Sequence, residues 1–437
     1  MKSNISEDKT ENSGDSVKLV KTFNSVTDKS SSIWSLIFSK NTFICSILGF
    51  SSGLPLFILV SLIPFWLKKE NIDLKTIGVF SLLMFPYSWK FVWAPFLDAY
   101  FFRTVGRRRT WMFGTQILLL LLIGGLASAD PHENMMFVSI GCILISFFSA
   151  SQDIVIDAFR REILSDQELG FGNSVHVNLY RLSALVPGSL ALILQDYMSW
   201  SSVFMTMAAF MLPGLMLTIF VAEPKIYHEV NSLKEAIVEP FWEFFQRRKL
   251  KGMLFFLLFL VLYKVGDSMA TALITPFYVD MGFTNKEIAV TAKIIGTTST
   301  VIGALLGGIA MMKIGINRSL WYFGWVQLVT ILGFALLAVC GHDILVLALA
   351  VAGEYLGVGL GTAAFTAFIA RETNPAFTAT QFALFTSIAA VPRVFCNGAT
   401  GFLVEQMGWL YFFILCTCIA LPGLLLVRVI APIEKKV

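Results

Sequence analysis

Apolar and polar residues follow one another along this chain in long blocks. Asn41–Leu67, Thr110–Ala129, Tyr197–Ala222 and Gln406–Val427 contain no Asp, Glu, Lys or Arg. Each has the roughly 20 residues that a helix needs to cross hydrocarbon. Seven further apolar blocks carry one to three charges, at about 76–102, 134–158, 173–195, 252–280, 287–312, 344–370 and 376–404, and another covers 319–341. The pattern predicts twelve spanning helices and an all-α membrane protein. It is also written twice. Ile63-Pro64-Phe65-Trp66 returns as Thr275-Pro276-Phe277-Tyr278, Arg161-Glu162 as Arg371-Glu372, Val186-Pro187 as Val391-Pro392 and Ser199-Trp200 as Gly408-Trp409, 205–212 positions on. A strongly apolar chain with a half-length repeat predicts two six-helix bundles related by a pseudo-two-fold axis, as in many transporters. The expected division is a polar tail at 1–40, a first bundle at 41–222, a linker at 223–251 and a second bundle at 252–437.

Composition supports the membrane assignment. Hydrophobic residues make up 56% of the chain and charged residues 14%, against about 25% charged in soluble domains. The 40 Phe suit a lipid-facing surface. The six Cys (Cys45, Cys142, Cys340, Cys396, Cys416, Cys418) lie in apolar segments without metal-ligand spacing and read as buried free thiols. The first 32 residues are polar and do not resemble a signal peptide, so a cytoplasmic, disordered tail is expected. The even-numbered connections hold 15 Lys and Arg and the odd-numbered ones 4. The positive-inside rule therefore puts the even side and both termini in the cytoplasm. Within the linker, Leu233–Phe245 reads either as an amphipathic helix on the inner membrane surface or as a flexible connector.

The informative residues are the charges inside spans, each costing roughly 2.5–3.5 kcal/mol on insertion scales. They are Lys90 and Asp98 in the second span, Asp153 and Asp157 in the fourth, Arg181 in the fifth, Lys264 and Asp267 in the seventh, Lys293 in the eighth, Glu354 in the tenth and Arg393 in the eleventh. The third, sixth, ninth and twelfth spans carry none and are expected to pack outside, leaving the others to line a central cavity. Asp98 lies near Gly106-Arg107-Arg108-Arg109 and Asp157 near Arg160 and Arg161, so both suit gate or structural ion pairs. Lys264 and Asp267 either pair with each other or face the cavity. Asp153 and Glu354 sit deeper and can carry a proton or pair with Arg181 or Arg393. Asp267 and Asp157 are further proton-carrying candidates. Gln116, Gln152, Tyr180, Asn397 and Thr362 can hydrogen-bond a polar solute, and Arg181, Lys264, Lys293 and Arg393 an anionic one. Gly353, Gly357 and Gly361 form a face for close helix approach, with or without a moving role. No nucleotide-binding, metal or nucleophile motif occurs. An enzyme, a metal or other cofactor, a nucleic-acid partner and ATP-driven transport are all disfavoured.

Two sets of motifs carry a family resemblance. Ala94-Pro95-Phe96-Leu97-Asp98 with Gly106-Arg107-Arg108-Arg109 resembles the loop between the second and third spans of the major facilitator superfamily, with Ala94 where Gly is usual. Gly308–Lys313 reads as its degenerate counterpart. More narrowly, LGFSSGLPL at Leu48–Leu56, DLKTIGVFSL at Asp73–Leu82, KFVWAPFLD at Lys90–Asp98, SASQDIVIDA at Ser149–Ala158, Gly266-Asp267 with TPFY at Thr275–Tyr278, and ATQFA at Ala379–Ala383 resemble the AmpG muropeptide permease family. The resemblance runs from about Lys40 to Pro432. It implies the major facilitator fold and a monomeric, multi-pass symporter of the bacterial inner membrane. Such a protein takes GlcNAc-1,6-anhydro-MurNAc peptides from periplasm to cytoplasm with protons, for peptidoglycan recycling. A cytoplasmic gate and signature loop of Asp98, Gly106, Arg107, Arg108, Arg109, Arg161 and Arg371 is expected. The family is similar to acetyl-coenzyme A transporters too, so another large anionic metabolite or a nutrient is the alternative solute.

Overall fold

The structure, a computed structural model, describes residues 37–73, 76, 80, 85–224 and 233–432, with the side chains of 233, 234, 285, 289, 293, 392–395, 397 and 398 outside the description. Asn41–Val437 forms one compact unit, separate from Met1–Lys40. Most of the DLKTIGVFSL stretch and most of the expected tail lie outside the described residues.

Among the described residues, ten helices are long and apolar enough to cross a membrane, and a shorter apolar one runs Pro375–Val391. They are α1 (Lys40–Lys69), α3 (Arg107–Ser128), α4 (Met135–Ile163), α5 (Asp166–Gln195), α6 (Trp200–Phe220), α7 (Glu235–Asp280), α8 (Val290–Ile314), α9 (Ile316–Cys340) and α10 (Ile344–Glu372), followed by α11 (378–407) and α12 (409–430), one helical run broken at Gly408. The second expected span falls partly outside the description. Its visible end is α2 (Ala94–Ala99), preceded by short helical pieces at Phe85–Trp89 and Lys90–Val92.

Local sequence explains where these helices bend. Pro55 and Pro187 lack the N–H that an α-helix uses, and a π turn follows or contains each, at Ile58–Leu62 and Val186–Leu190. Two helix starts at the Arg-rich end of the molecule are set by extended backbone with positive φ. Gly106 (φ 107, ψ 159) precedes α3 and Gly315 (φ 82, ψ 161) precedes α9. The two are 209 positions apart, so the repeat extends to backbone geometry. Gly315-Ile316-Asn317-Arg318 is thus the counterpart of Gly106-Arg107-Arg108-Arg109. Gly308, which the sequence suggested for that role, lies inside α8 and meets Phe171 and Ser174 of α5.

Lipid does not drive apolar helices together, so packing depends on close approach. A Cβ on Gly303 of α8 would lie 2.3 Å from the Leu356 carbonyl oxygen of α10, and one on Gly359 of α10 would lie 2.3 Å from that of Thr300 of α8. Only glycine permits that contact. Surfaces of α3, α6 and α9 expose Leu121, Phe220 and Val339, as expected for helices facing lipid. The cysteines correct one expectation. Cys45, Cys142 and Cys416 are buried, but Cys340 and Cys418 are exposed, because an apolar segment in a bilayer can face lipid as well as protein. All six are free thiols.

The linker is helical from Leu233 to a break at Lys249 (φ 56, ψ 168). Ala236, Pro240 and Phe244 are buried, while Ile237, Val238, Phe241 and Trp242 are exposed together one turn apart. Gln381 of α11 donates to the Pro240 carbonyl (2.9 Å) and to Glu243 (2.7 Å), tying this helix to α11.

Candidate functional site

A cavity of about 990 Å³ opens between the two halves of the repeat. Phe57 of α1 and Arg181 and Ala184 of α5 line one side. The other side comes from α7, α8, α10 and α11. Among the described residues, the third member of each triplet contributes nothing, in line with the charge pattern. Among the described residues, the second and fourth spans, expected to line the cavity, contribute nothing either; Asp98, Asp153 and Asp157 find partners within the protein instead.

Each wall is one face of a helix. On α7 the lining residues Lys264, Asp267, Ser268 and Thr271 recur at three- and four-residue spacing, as do Thr297, Thr300 and Val301 on α8 and Tyr355, Val358, Thr362 and Phe365 on α10. The Lys264 Nζ donates to Asp267 Oδ2 (3.2 Å) and to Thr362 Oγ1 (3.1 Å). The two residues pair with each other and also line the cavity. The wall thus presents Arg181 and Lys264 as cations, one carboxylate and a ring of hydroxyls, among aromatic faces of Phe57, Tyr355 and Phe365. This chemistry suits a polar, anionic solute.

The other candidates are distributed as follows. Tyr180 stacks edge-on against Phe57 at 5.9 Å, just behind the wall. Gln116 is fully buried and accepts from Thr218 Oγ1 (2.8 Å), joining α3 to α6. Gln152 donates to the Ser51 carbonyl (3.1 Å), joining α4 to α1. The structure thus places both amides in helix packing, away from the cavity, since an amide within a span also finds partners between helices. Asp153 is buried and accepts from the Ser52 hydroxyl. Asp157 pairs with Arg160 at 2.9 Å. Glu354 is fully buried, with the Thr330 hydroxyl of α9 beside its carboxyl. Lys293, Arg393 and Asn397 lie outside the described side chains. Among the described residues no group of His, Cys, Asp and Glu could hold a metal ion.

Depth separates the two buried carboxyls. Helices α4 and α10 each run 29 residues toward the Arg-rich end. Glu354 comes eight residues earlier in its helix than Asp153 does, about 12 Å of helical rise.

At the Arg-rich end the halves are locked together. Arg108, fully buried, donates to Asp98 Oδ1 (2.8 Å) and Glu162 Oε1 (2.6 Å). The other Asp98 oxygen accepts from the Thr380 N–H (2.9 Å) and hydroxyl (2.8 Å) at the start of α11. Arg107 joins Glu162 (3.0 Å) to the Ala376 carbonyl (3.1 Å). Glu223 accepts from the N–H groups of Arg108 (2.7 Å) and Arg109 (3.0 Å) at the first turn of α3, and fills the space that a Cβ at Gly106 would need. In the second half, Arg371 donates to Asn317 and Glu372 pairs with Arg248. Arg161 meets Asp166 at 3.6 Å. Every residue of the expected gate therefore lies at this end.

Sequence reading missed the hydroxyl lining (Ser268, Thr271, Thr297, Thr300, Thr386), Tyr355, and the buried Gln327 of α9. The helical spacing of the hydroxyls with Lys264 and Asp267 was the available signal.

Relatives agree with this architecture. The profile of the Major Facilitator Superfamily matches residues 45–395. The chain is 46% identical to an uncharacterized protein of Haemophilus influenzae, over 93% of this chain and 98% of the relative. It is 40% identical to the anhydromuropeptide permease of Escherichia coli K12, over 88% of this chain and 78% of the relative. Among solved structures it resembles the human organic anion transporter MFSD10 (TM-score 0.67, 13% identity, 88% of this chain and 98% of that one). It also resembles FucP in the outward conformation (TM-score 0.66, 12% identity, 90% and 99%). At these identities the two structures speak for the fold alone.

Proposed function

This chain belongs to the major facilitator superfamily and to the family of the anhydromuropeptide permease, and from that premise we propose that it imports anhydro-muropeptides by proton symport. The observation that carries the reading is the cavity. Its volume of about 990 Å³ stands at the top of the range of roughly 300–1,000 Å³ for small-molecule sites, as a disaccharide with a peptide requires. Hydroxyls and aromatic faces suit the sugars. Arg181 and Lys264 suit the peptide carboxylates.

The Arg-rich end is cytoplasmic in this reading, by the positive-inside rule. The Asp98–Thr380 and Arg107–Ala376 bonds then close the cytoplasmic side, so the cavity faces the periplasm and waits for solute. Residues 41–222 and 252–437 rock about it, with 223–251 as the link and α7's exposed Ile237, Phe241 and Trp242 in the inner lipid interface. Asp153 and Glu354 are the carriers proposed for the proton. One monomer suffices, as both walls come from one chain.

Uptake of labelled anhydro-muropeptide into proteoliposomes tests the reading. Saturable uptake competed by unlabelled anhydro-muropeptide supports it. Uptake competed instead by another large anion, such as acetyl-coenzyme A, points to the alternative solute on the same cavity.

A further inference from the structure

We propose that the cavity fixes the direction in which its solute lies. The sugar end sits between the rings of Phe57 and Tyr355, toward the mouth, and the anionic peptide end lies deeper, on Arg181 and Lys264. This assigns the two ends of the solute within the site and rests on the anhydro-muropeptide reading above.

The order of groups is the same on both walls. On the first wall, Cβ atoms on Gly49 and Gly53 of α1 would each lie 2.4 Å from a carbonyl oxygen of α5, those of His176 and Tyr180. Both helices start at the Arg-rich end, where Asn41 donates to the Ile163 carbonyl (3.0 Å). The pairing advances four residues on each helix, so the next step sets Phe57 level with Ala184. Both line the cavity. Arg181 lies three residues nearer the locked end, about 4.5 Å of rise.

On the second wall, Tyr355 comes seven residues before Thr362 in α10, about 10 Å of rise. Thr362 is the residue that accepts from Lys264 (3.1 Å), and α10 runs toward the Arg-rich end. On each wall, therefore, an aromatic ring stands farther from the locked end than the cation does.

These two rings are braced from behind. A Cβ on Gly296 of α8 would meet three atoms of the Tyr355 ring at 3.2–3.4 Å, so the glycine supports the face of that ring. Tyr180 holds Phe57 edge-on at 5.9 Å. A pyranose has a face of C–H groups that covers an aromatic ring while its hydroxyls bond sideways. Thr297, next to Gly296 in sequence, brings a hydroxyl to the same part of the wall. The third aromatic of the lining, Phe365, differs. It stacks on Tyr263 (5.2 Å, 3° between planes) and has the Lys264 ammonium 6.0 Å over its ring. Its faces are occupied, so the deep end presents charge instead. Lys264 is already held by Asp267 (3.2 Å) and Thr362, and an anion arriving there adds a charge-assisted bond to a fixed ammonium.

Calorimetric binding to the purified protein tests the assignment with two compounds. One is GlcNAc-1,6-anhydro-MurNAc with its lactyl carboxyl capped as the methylamide, and the other carries the peptide there. Phe57→Leu and Tyr355→Leu, checked for folding by thermal melting, weaken both compounds by a similar factor, about tenfold. Tyr355→Phe recovers most of that loss. Lys264→Met weakens the peptide-bearing compound about tenfold more than the capped one. Leu variants that weaken neither compound, or only the peptide-bearing one, overturn the sugar site.

Direction is read by labelling. The peptide-bearing compound takes a bromoacetyl group at the end of its peptide, and the protein has its native cysteines removed. Ala389→Cys, on α11 near the deep end, is alkylated. Ala292→Cys, five residues nearer the mouth than Thr297 on α8, reacts at least tenfold more slowly. Equal rates, or the reverse order, overturn the direction. A wild-type protein that binds neither compound contradicts the anhydro-muropeptide reading itself, and the direction falls with it. One that binds both but labels in the reverse order contradicts the direction alone.

Discussion

At the scale of single residues, Lys264 carries the largest expectation. It is the cavity cation whose contacts are defined, held by Asp267 and Thr362. Lys264→Met should raise KM for an anionic solute about tenfold or more, equal to about 1.4 kcal/mol, and Lys264→Arg should recover most of it. An unchanged KM in the Met variant would remove Lys264 from the solute site. A second prediction lies outside the membrane spans. Glu287 accepts from the Thr284 N–H (2.8 Å) and hydroxyl (2.9 Å) while Thr284 Oγ1 accepts from the Glu287 N–H, a capping box, and His342 stands 3.3 Å away. The Thr284 hydrogen bonds, then His342, hold the Glu287 carboxyl below the ordinary carboxylate value. A lowered value in the folded state stabilises above the unfolded value and is lost as pH falls through the folded one. Thermal stability should therefore drop on acidification below about pH 4.5, and Glu287→Gln should shrink that drop. Charges inside spans were legible as sites, since their cost in lipid demands a reason. Hydroxyls and amides were not, because they are cheap enough to serve packing as well. Gln116 and Gln152 joined helices, and Gln327 passed unnoticed in a span read as apolar.

At the scale of elements, the sequence showed where helices start and stop better than what their ends do. Gly106 and Gly315 hold the same backbone geometry 209 residues apart. The register was hidden because Arg107 and Arg108 return as Ile316 and Asn317, which keep the turn but not the charge. Lys249 adopts a similar backbone (φ 56, ψ 168) where α7 leaves the linker. That region is nearly restricted to glycine and costs roughly 1–3 kcal/mol for other residues. Lys249→Gly should therefore raise the unfolding midpoint in detergent, and Gly315→Val should lower it. A lower midpoint for Lys249→Gly would mean that the lysine side chain contributes more than the strain costs. The linker helix settles the open reading of Leu233–Phe245 in favour of a helix. Its alternation of buried Ala236, Pro240 and Phe244 with exposed Ile237, Phe241 and Trp242 was visible as period, but its docking on α11 through Gln381 was not.

At the scale of the whole molecule, the half-length repeat and the charge-free third spans gave the architecture, and the superfamily match agrees. The state of the cavity was not legible, since it depends on side chains 282 positions apart, such as Asp98 and Thr380. Removing one partner of a buried ion pair typically costs about 3–5 kcal/mol, and Asp98 also holds the start of α11. Asp98→Ala should open the Arg-rich end. On a background without native cysteines, Ala389→Cys at the cavity wall should then react faster with a membrane-impermeant thiol reagent in inside-out vesicles. An unchanged rate there would mean that Asp98 does not hold the closed state.

The central claim is coupled import of an anionic solute through the cavity between the halves. Accumulation of labelled anhydro-muropeptide in proteoliposomes under an inward proton gradient, with and without a protonophore, tests it most directly. The account predicts accumulation above the external concentration that collapses when the protonophore is added. Uptake that never exceeds equilibrium, or that is indifferent to the protonophore, would contradict it.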